Sequence, residues 1–243
     1  MNALLLSAGL GTRLMPLTKT VPKCLIPIGG KPLLCYWIEI LDKLGIEKIY
    51  INTFYLQKTV EEFIKKNPFK YKITLLHEDK LLGTGGTLKK YSDLFIDNQL
   101  LIIHADNLCV TDFHNFIESH KMNYISYPIT MMTFFTDNAK YCGVIKVNAD
   151  KVVTDFYEKN DNPPSNLANG AVFIIEPIII NYLKNFPEEI FDFSKDIIPK
   201  FLNKIKIWHN NFYHRDVGSL ASLEKANKDL HYIQRLISYF NIN

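Results

Sequence analysis

The chain has 243 residues, of which 47% are hydrophobic and 22% charged, and its formal net charge is +3. This length allows one large domain with a substantial core, and the small, scattered charge excludes a basic face for nucleic acid. The first apolar run is too short for a signal peptide or a membrane span. We therefore expect a cytoplasmic protein with no nucleic-acid partner and no membrane partner.

The chain opens on an apolar run, residues 3–6, which predicts a buried strand. Gly9 and Gly11 follow and predict a loop at the carboxyl end of that strand. Three basic residues lie in or just after this loop: Arg13, Lys19 and Lys23. Glycine amides and nearby cations suit the phosphates of a nucleoside triphosphate. The spacing excludes the G-x-G-x-x-G and Walker motifs, and on spacing alone a plain glycine turn with solvated basic residues is an equal alternative.

Alternating strand and helix patterns follow this loop. Apolar spacing predicts a helix over 32–44 and another over 56–66, with strands over 48–52 and 71–77. This β-α-β-α-β order predicts a parallel, doubly wound sheet. Its ligand is expected beyond the carboxyl ends of the strands.

Glu78 follows the third predicted strand, and the run L-G-T-G-G over 82–86 comes next. The glycines predict a loop that leads into a helix, for which an ordinary strand-to-helix connection is the alternative. An ionised carboxylate only accepts hydrogen bonds. Glu78 therefore suits the adjacent N1–H and N2–H donors of guanine better than uracil or thymine. The alternative is that Glu78 faces solvent or caps the next helix.

A fourth buried strand, residues 100–107, ends in Asp106 and Asn107. An aspartate in this position often caps a helix. Near a triphosphate loop, however, a single carboxylate also suits Mg²⁺, which binds one or two carboxylates together with phosphate oxygens. We expect Asp106 to be a metal ligand.

The second half predicts further strands over 125–135, 142–147, 152–157, 171–175 and 205–209. A turn at 148–150 makes the second and third of these a hairpin, so the sheet becomes mixed. Residues 160–168 predict a loop and a candidate mobile lid. Residues 220–240 predict an amphipathic C-terminal helix.

The motifs in this order resemble the sugar-1-phosphate nucleotidylyltransferases. The opening G-L-G-T-R-L-M-P-L-T over 9–18, followed by P-K-C-L-I-P-I over 22–28 and K-P-L-L over 31–34, resembles the signature of that family. Residues 192–199, D-F-S-K-D-I-I-P, resemble a helix of that family that serves as a packing element. Ser7 departs from the family pattern, and so do His214 and Ser219 in the later Y-H-R-D-V-G-S segment over 213–219. The motif style is most similar to mannose- and heptose-1-phosphate guanylyltransferases. The resemblance implies a Rossmann-like α/β fold with a mixed, mainly parallel central sheet.

The resemblance also implies roles for particular residues. Arg13 is expected to be catalytic on the departing pyrophosphate and Lys23 on the α-phosphate, while Asp106 and Asp216 are expected to hold Mg²⁺. The implied nucleotide-binding residues are Leu6, Ala8, Gly9, Gly11, Thr12, Arg13, Lys23, Glu78, Gly83, Thr84 and Asp106. The implied residues for the sugar phosphate are Asn107, Gly143, Glu158, Lys159 and Asn169. Taken alone, Glu158 and Lys159 could be a solvated pair, and Asn169-Gly170 could be a turn.

One nucleotidyltransferase domain over 1–243 is expected, with a nucleotide half over about 1–122, a sugar-phosphate half over about 123–218 and a helix over about 219–240. The implied enzyme transfers a nucleoside monophosphate from a triphosphate, with GTP favoured, to a sugar 1-phosphate, as a monomer or homodimer. The alternatives are a UTP- or dTTP-dependent sugar-1-phosphate transferase, a cytidylyltransferase acting on a non-sugar phosphate, and a regulatory subunit that binds nucleotide sugar without turnover.

Overall fold

The structure is a computed structural model that describes residues 1–241, so the last two residues of the predicted domain lie outside the described residues. The strands are β1 (Asn2–Leu6), β2 (Pro27–Ile28), β3 (Lys31–Pro32), β4 (Ile49–Thr53), β5 (Ile73–His77), β6 (Leu100–His104), β7 (Asn107–Val110), β8 (Ile129–Phe135), β9 (Gly143–Val147), β10 (Val153–Glu158), β11 (Leu167–Ile175), β12 (Ile205–His209) and β13 (Tyr213–Asp216). The α-helices are α1 (Leu33–Lys43), α2 (Gln57–Lys66), α3 (Gly83–Lys90), α4 (Phe113–Asn123), α5 (Pro177–Lys184), α6 (Leu220–Lys228) and α7 (Leu230–Tyr239).

The chain forms two compact units. Among the described residues, the first contains Met1–Leu81, Ile103–Asp112 and 212–241, and the second contains Leu82–Ile102 and Phe113–Asn211. The expected division of one domain into a nucleotide half and a sugar-phosphate half stays a prediction. Within residues 1–241, every helix is too short or too polar to cross a membrane.

Three parallel strands organise the first unit. β1 pairs with β4, and β4 with β5, in a register that sets Ala3 opposite Ile49 and Ile49 opposite Ile73. Every residue of β1 and β4 is buried because their apolar side chains pack on both faces. Since parallel strands run the same way, the carboxyl ends of all three meet at one edge. The segments after those ends carry most of the predicted nucleotide-binding residues.

The C-terminal segment packs within the first unit as two helices, so the prediction of one continuous helix over 220–240 is wrong. α6 ends at Lys228 and α7 begins at Leu230, with Asp229 between them. The Asp229 carboxylate accepts hydrogen bonds from the Tyr213 hydroxyl at 3.2 Å and from Lys225 Nζ at 2.8 Å. Aspartate is a poor residue for the middle of a helix but a good one at a helix start.

The second unit contains a mixed arrangement of strands. β8 is antiparallel to β11 and parallel to β12, and β9 and β10 form an antiparallel hairpin. The predicted turn at 148–150 is confirmed, since the Asn148 side-chain oxygen accepts the N–H groups of Asp150 and Val152 at 3.0 Å each. The predicted mixing of parallel and antiparallel strands is therefore present.

Three segments of the second unit differ from expectation. Gly83 to Gly86 lie in the first turn of α3 and do not form a separate loop. Asn169-Gly170 lies inside β11 and is not a turn; the strand bulges there, with Ala171 at φ +52°. The segment 192–199, expected to be a helix, is a π-helical turn, Phe193–Ile197, followed by a 3-10 turn, Ile198–Phe201.

A buried histidine joins three elements of the second unit. His120, on α4, has Nδ1 2.8 Å from the Thr130 hydroxyl oxygen and Nε2 2.9 Å from Glu176 Oε1. Gln99 donates a further hydrogen bond of 2.7 Å to the same carboxylate oxygen. Burial lowers the pKa of His120 below its usual value of 6.5, although Glu176 opposes the shift. The imidazole is therefore neutral at pH 7.

The depressed pKa of His120 predicts a loss of stability in mild acid. Its contribution is present above the unfolded pKa of 6.5 and is lost as the pH falls, because the unfolded chain then binds the proton more readily. In His120→Gln, the decline in the free energy of unfolding from about pH 7.5 to about pH 5.5 should be shallower. Urea titrations at both pH values measure that decline. His114→Gln, an exposed position on the same helix, should keep the wild-type slope; equal slopes in all three proteins would contradict the assignment.

Candidate functional site

The glycine loop after β1 is held by backbone geometry and by packing. Gly11 has φ +65°, and a Cβ there would lie 2.8 Å from Thr18 Cγ2 and 3.2 Å from Lys23 Cβ. The Thr18 hydroxyl donates to the Gly11 carbonyl at 2.9 Å, and the Tyr55 hydroxyl donates to the Thr18 carbonyl at 2.9 Å. Only glycine suits position 11. At Gly9, by contrast, a Cβ would meet nothing within 4 Å.

The other predicted residues of this segment divide by exposure. Leu6, the last residue of β1, and Ala8 are buried, so their side chains belong to the core. Thr12 and Arg13 are exposed at the start of a 3-10 turn, Thr12–Leu14. The segment is thus anchored by buried side chains, and its exposed part presents main-chain atoms and a guanidinium group to solvent. This is the arrangement expected of a phosphate-binding loop.

Lys23 is the central charge of the first unit's site. Its side chain is only 10% exposed, and its Nζ lies 2.5 Å from Asp106 Oδ2 and 3.6 Å from Asp216 Oδ1. Arg13 Nη2 lies 3.8 Å from Asp216 Oδ2, and its side chain is 67% exposed. The structure therefore brings together both predicted catalytic cations and both predicted metal carboxylates.

Strand pairing explains how Asp216 meets Asp106. β13 is antiparallel to β7 in a register that sets Asp216 opposite Asn107, and the Val217 N–H donates to the Asp106 carbonyl at 2.9 Å. Gly218 leaves room for the charged groups, because a Cβ there would lie 2.7 Å from Asp216 Oδ1 and 2.8 Å from Arg13 Nη2. Asn107 itself is buried, and its carbonyl accepts the Trp37 indole N–H at 2.8 Å.

The two carboxylates differ electrostatically. Burial alone would raise the pKa of Asp106, but the Lys23 ammonium, His104 and the hydrogen bond from Lys23 lower it below its usual value. Burial and the negative charge of Asp106 raise the pKa of Asp216, and Lys23 and Arg13 only partly oppose this. Asp106 thus holds its charge firmly, whereas the charge of Asp216 would be stabilised by additional positive charge nearby.

The donor set fits Mg²⁺ shared with a substrate. Asp106 and Asp216 offer carboxylate oxygens, and their side chains are 37% and 49% exposed. Among residues 1–241, no group of three or more histidine, cysteine, aspartate or glutamate side chains could hold a metal ion. Two carboxylates are what Mg²⁺ commonly takes from a protein when phosphate oxygens and water complete its octahedron.

Glu78 is buried at the end of β5, with 3% of its surface exposed. Its N–H donates to the Thr53 carbonyl at 2.9 Å, and its Oε1 accepts from Asn52 Nδ2 at 2.9 Å. The alternative in which Glu78 faces bulk solvent is therefore wrong. Its side chain belongs to the carboxyl edge of the parallel strands.

In the second unit, close packing accounts for the glycines of α3. A Cβ at Gly83 or Gly86 would lie 2.4 Å from the Phe191 carbonyl oxygen or 2.3 Å from that of Glu189. The Thr84 hydroxyl donates to Asp192 Oδ2 at 2.8 Å and accepts the Phe193 N–H at 2.7 Å. Nucleotide contacts of Gly83 and Thr84 stay a prediction, since the observed contacts of this turn are with residues 189–193.

Three of the residues predicted to bind the sugar phosphate lie together at the β9–β10 hairpin. Gly143 is paired with Glu158, and a Cβ at Gly143 would lie 2.7 Å from Glu158 Oε2. Lys159 Nζ lies 3.9 Å from Glu158 Oε1 and its side chain is 71% exposed. Burial raises the pKa of Glu158, with Lys159 opposing the shift. Both residues are exposed, so the alternative of a solvated pair is compatible with the structure.

The π-helical turn, Phe193–Ile197, interacts with residues predicted to bind the sugar phosphate, although its sequence predicts only a packing element. Asn169 Nδ2 donates to the Ser194 hydroxyl oxygen at 3.3 Å. The charges of Asp192 and Lys195 also act on Glu158, the first raising its pKa and the second lowering it. The D-F-S-K-D motif over 192–196 predicts a packing helix, so the effect of Asp192 and Lys195 on Glu158 could be found only from the three-dimensional structure.

The sequence matches a known protein family over most of its length. The nucleotidyl transferase family model matches residues 2–232. The sequence is 32% identical over 233 residues to the bifunctional protein GlmU of Methanococcus aeolicus, a match that covers 93% of this chain and 54% of that protein. It is 29% identical over 225 residues to the mannose-1-phosphate guanyltransferase of Schizosaccharomyces pombe, with 90% and 61% covered. The chain therefore spans a little over half the length of these relatives.

Two solved structures are similar over nearly the whole chain. HddC from Yersinia pseudotuberculosis, complexed with GMP-PN, has a TM-score of 0.78 and 27% identity over 94% of this chain and 99% of that chain. A putative glucose-1-phosphate thymidylyltransferase from Bacillus anthracis has a TM-score of 0.85 and 22% identity, with 94% of each chain covered. These similarities confirm the predicted Rossmann-like α/β fold with a mixed, mainly parallel central sheet.

The charge cluster predicts a stability effect for Lys23. Lys23→Met keeps the length of the side chain but leaves Asp106 and Asp216 without their shared ammonium. Since both carboxylates are partly exposed, water reduces the penalty, and we expect a loss of about 1–3 kcal/mol in the free energy of unfolding at neutral pH. Denaturant titration measures the loss. Lys19→Met, at an exposed position of the same segment, should change stability by less than about 0.5 kcal/mol; equal stabilities of the two variants would refute the role of Lys23 in charge compensation.

Proposed function

The chain belongs to the nucleotidyl transferase family, and on that premise we propose that it joins a sugar 1-phosphate to the nucleoside monophosphate part of a triphosphate. The products are a nucleotide-activated sugar and pyrophosphate. One observation carries the proposal: a nearly buried Lys23 lies within 4 Å of two carboxylates, next to a glycine loop at the end of β1. Family membership agrees with the resemblance of the opening motifs.

The proposed chemistry is a direct displacement at the α-phosphorus. An oxygen of the sugar phosphate forms a bond to that phosphorus while the bond to the α,β-bridging oxygen breaks, and pyrophosphate leaves with the electron pair. Such a reaction needs alignment and charge neutralisation rather than a nucleophilic side chain. The glycine loop and the cations of the first unit can supply both.

Each charged group of the first unit has a role in this proposal. The N–H groups of residues 9–12 would hold the triphosphate, Lys23 would stabilise negative charge that builds on the α-phosphate, and Arg13 would stabilise the departing pyrophosphate. Mg²⁺ held by Asp106 and Asp216 would neutralise part of the phosphate charge. The hydrogen bond from Lys23 to Asp106 would orient the ammonium group before substrate arrives.

The second unit would recognise the sugar phosphate. Lys159, exposed beside Glu158, would form an ion pair with the phosphate of the sugar phosphate. Glu158 would accept hydrogen bonds from sugar hydroxyls, and the Asn169 amide would accept hydrogen bonds from them or donate to them. Gly143 completes the proposed sugar-phosphate set of this unit, and Asn107, which lies in the first unit, belongs to the predicted set as well. Because epimers differ only in hydroxyl positions, these polar side chains would decide which sugar is used.

GTP is the proposed nucleotide. The buried Glu78 carboxylate can accept both N1–H and N2–H of guanine, whereas uracil and thymine present carbonyl oxygens beside a single N–H. Two relatives support this choice by their names alone: a mannose-1-phosphate guanyltransferase, and HddC with GMP-PN. We further propose a cytoplasmic monomer or homodimer.

A matrix of pyrophosphate-release assays tests the function. Purified protein is given each of four or five nucleoside triphosphates with hexose, heptose or amino-sugar 1-phosphates, and with phosphocholine as the non-sugar phosphate. We expect release only in pairs that contain a sugar 1-phosphate, with GTP the best nucleotide. Lys23→Met, assayed under conditions where it is folded, should lower kcat by roughly 10²–10³. Turnover with phosphocholine would favour the cytidylyltransferase alternative, and binding of nucleotide sugar without turnover would favour the regulatory subunit.

The proposed metal role makes a separate prediction. Asp216→Asn removes one negative ligand, so the Mg²⁺ concentration for half-maximal activity should rise by roughly tenfold or more. A magnesium titration of initial rates, after treatment with a chelator, measures this. Asp150→Asn, at an exposed turn, should leave the titration unchanged. Wild-type activity that persists in excess chelator would show that no such metal is needed.

A further inference from the structure

Three polar residues form a hydrogen-bonded row across the carboxyl ends of the parallel strands. Ser7 follows β1, Asn52 is the penultimate residue of β4, and Glu78 follows β5. The Ser7 N–H donates to Asn52 Oδ1 at 2.6 Å, and Asn52 Nδ2 donates to Glu78 Oε1 at 2.9 Å. The Ser7 hydroxyl also donates to the Asn52 carbonyl at 2.6 Å. Asn52 and Glu78 are each 3% exposed.

The main chain fixes the orientation of the Asn52 amide. A backbone N–H can only donate, so the Asn52 atom that faces Ser7 must be the oxygen. The Asn52 NH₂ group must therefore face Glu78. Turning the amide over would set its NH₂ group against the N–H of Ser7 and its oxygen against the Glu78 carboxylate, leaving two unfavourable buried contacts.

We propose that Asn52 is a positioning residue that sets the hydrogen-bonding direction of position 78 and thereby the choice of nucleotide. This inference rests on the proposed function in one respect, that position 78 reads the base. A fixed donor at Asn52 requires an oxygen on the facing side of residue 78. With glutamate there, the base side is also an oxygen, which suits the guanine donors.

The same constraint decides what a glutamine would do at position 78. Its oxygen would have to face the Asn52 NH₂ group, so its own NH₂ group would point to the base side. Position 78 would change from an acceptor to a donor. A donor suits the carbonyl oxygens of uracil and repels the guanine N1–H and N2–H groups.

A reciprocal exchange of the two residues tests this constraint. Glu78→Gln alone should lower the ratio of GTP affinity to UTP affinity on the order of tenfold or more. The double variant combines Glu78→Gln with Asn52→Asp. One carboxylate oxygen of residue 52 would then accept the Ser7 N–H, and the other would accept the NH₂ group of the residue 78 side chain. The glutamine oxygen would then turn to the base side. The double variant has the same charge as the wild type and nearly the same volume, and its GTP preference should recover most of the loss.

Calorimetric titration with GTP and with UTP, in the absence of sugar 1-phosphate, gives the ratio without any catalytic step. A general loss of protein stability would lower the affinities for both nucleotides and leave their ratio unchanged. The ratio therefore distinguishes an effect on positioning from an effect on folding. Asn52→Ala serves as a second variant if the double variant does not fold. Loss of the Asn52 donor removes one of the contacts that orient the Glu78 carboxylate, so the ratio should fall several-fold.

Recovery of GTP preference in the double variant would support the inference. A double variant that keeps the ratio of Glu78→Gln would overturn it, and so would an unchanged ratio in Asn52→Ala. An unchanged ratio in Glu78→Gln would also overturn it, because position 78 would then not read the base. Absence of pyrophosphate release by the wild type would instead count against the proposed function, and the binding ratios would still decide the role of Asn52.

Discussion

The contact of the Lys23 ammonium with Asp106 and Asp216 is the interaction on which the first unit's site depends. Two carboxylates close together repel each other, and burial together with that repulsion raises the pKa of Asp216. The Lys23 ammonium group compensates part of the negative charge of both carboxylates. The strand pair β7–β13 brings the carboxylates to one place, and the absence of a side chain at Gly11 leaves room for the Lys23 stem.

Much of this arrangement could be predicted from local sequence. Short apolar runs identified β1, β4 and β5, and the rule that parallel strands end at a common edge predicted that the loop after β1 would lie near Asp106. The role of Asp216 came from a resemblance, because nothing local to residues 213–219 specifies a partner more than a hundred residues earlier. Its partner follows from the antiparallel pairing of β13 with β7, a long-range contact.

The wrong predictions at residues 83–86 and 169–170 also result from long-range contacts. The glycines over 83–86 predicted a loop, but the close approach of residues 189–193 explains them, and that segment is distant in sequence. Asn169-Gly170 has the composition of a turn, yet it lies in a bulged strand between two partners. Asp229 separates two helices, in agreement with the low preference of aspartate for a helix interior, and its carboxylate accepts hydrogen bonds from Tyr213 and Lys225. At residues 83–86 and 169–170, tertiary contacts outweighed a local preference.

Four of the glycines have two different explanations. Gly11 and Gly218 make space beside charged groups, whereas Gly83 and Gly86 allow backbone to approach a helix. Position 52 is a related case, since an asparagine at the end of a strand is unremarkable until the hydrogen bonds of its side chain to Ser7 and Glu78 are seen. Its amide orientation depends on the main-chain N–H of residue 7, which is present whatever the side chain there.

Exchange of labelled pyrophosphate into the nucleoside triphosphate tests the proposal of direct displacement. If the site aligns two substrates without a covalent enzyme intermediate, label should enter GTP only when the sugar 1-phosphate or the nucleotide sugar is also present. Rapid exchange with GTP and pyrophosphate alone would mean that a nucleotidyl group is first transferred to the protein, and it would contradict a site built on charge compensation and alignment.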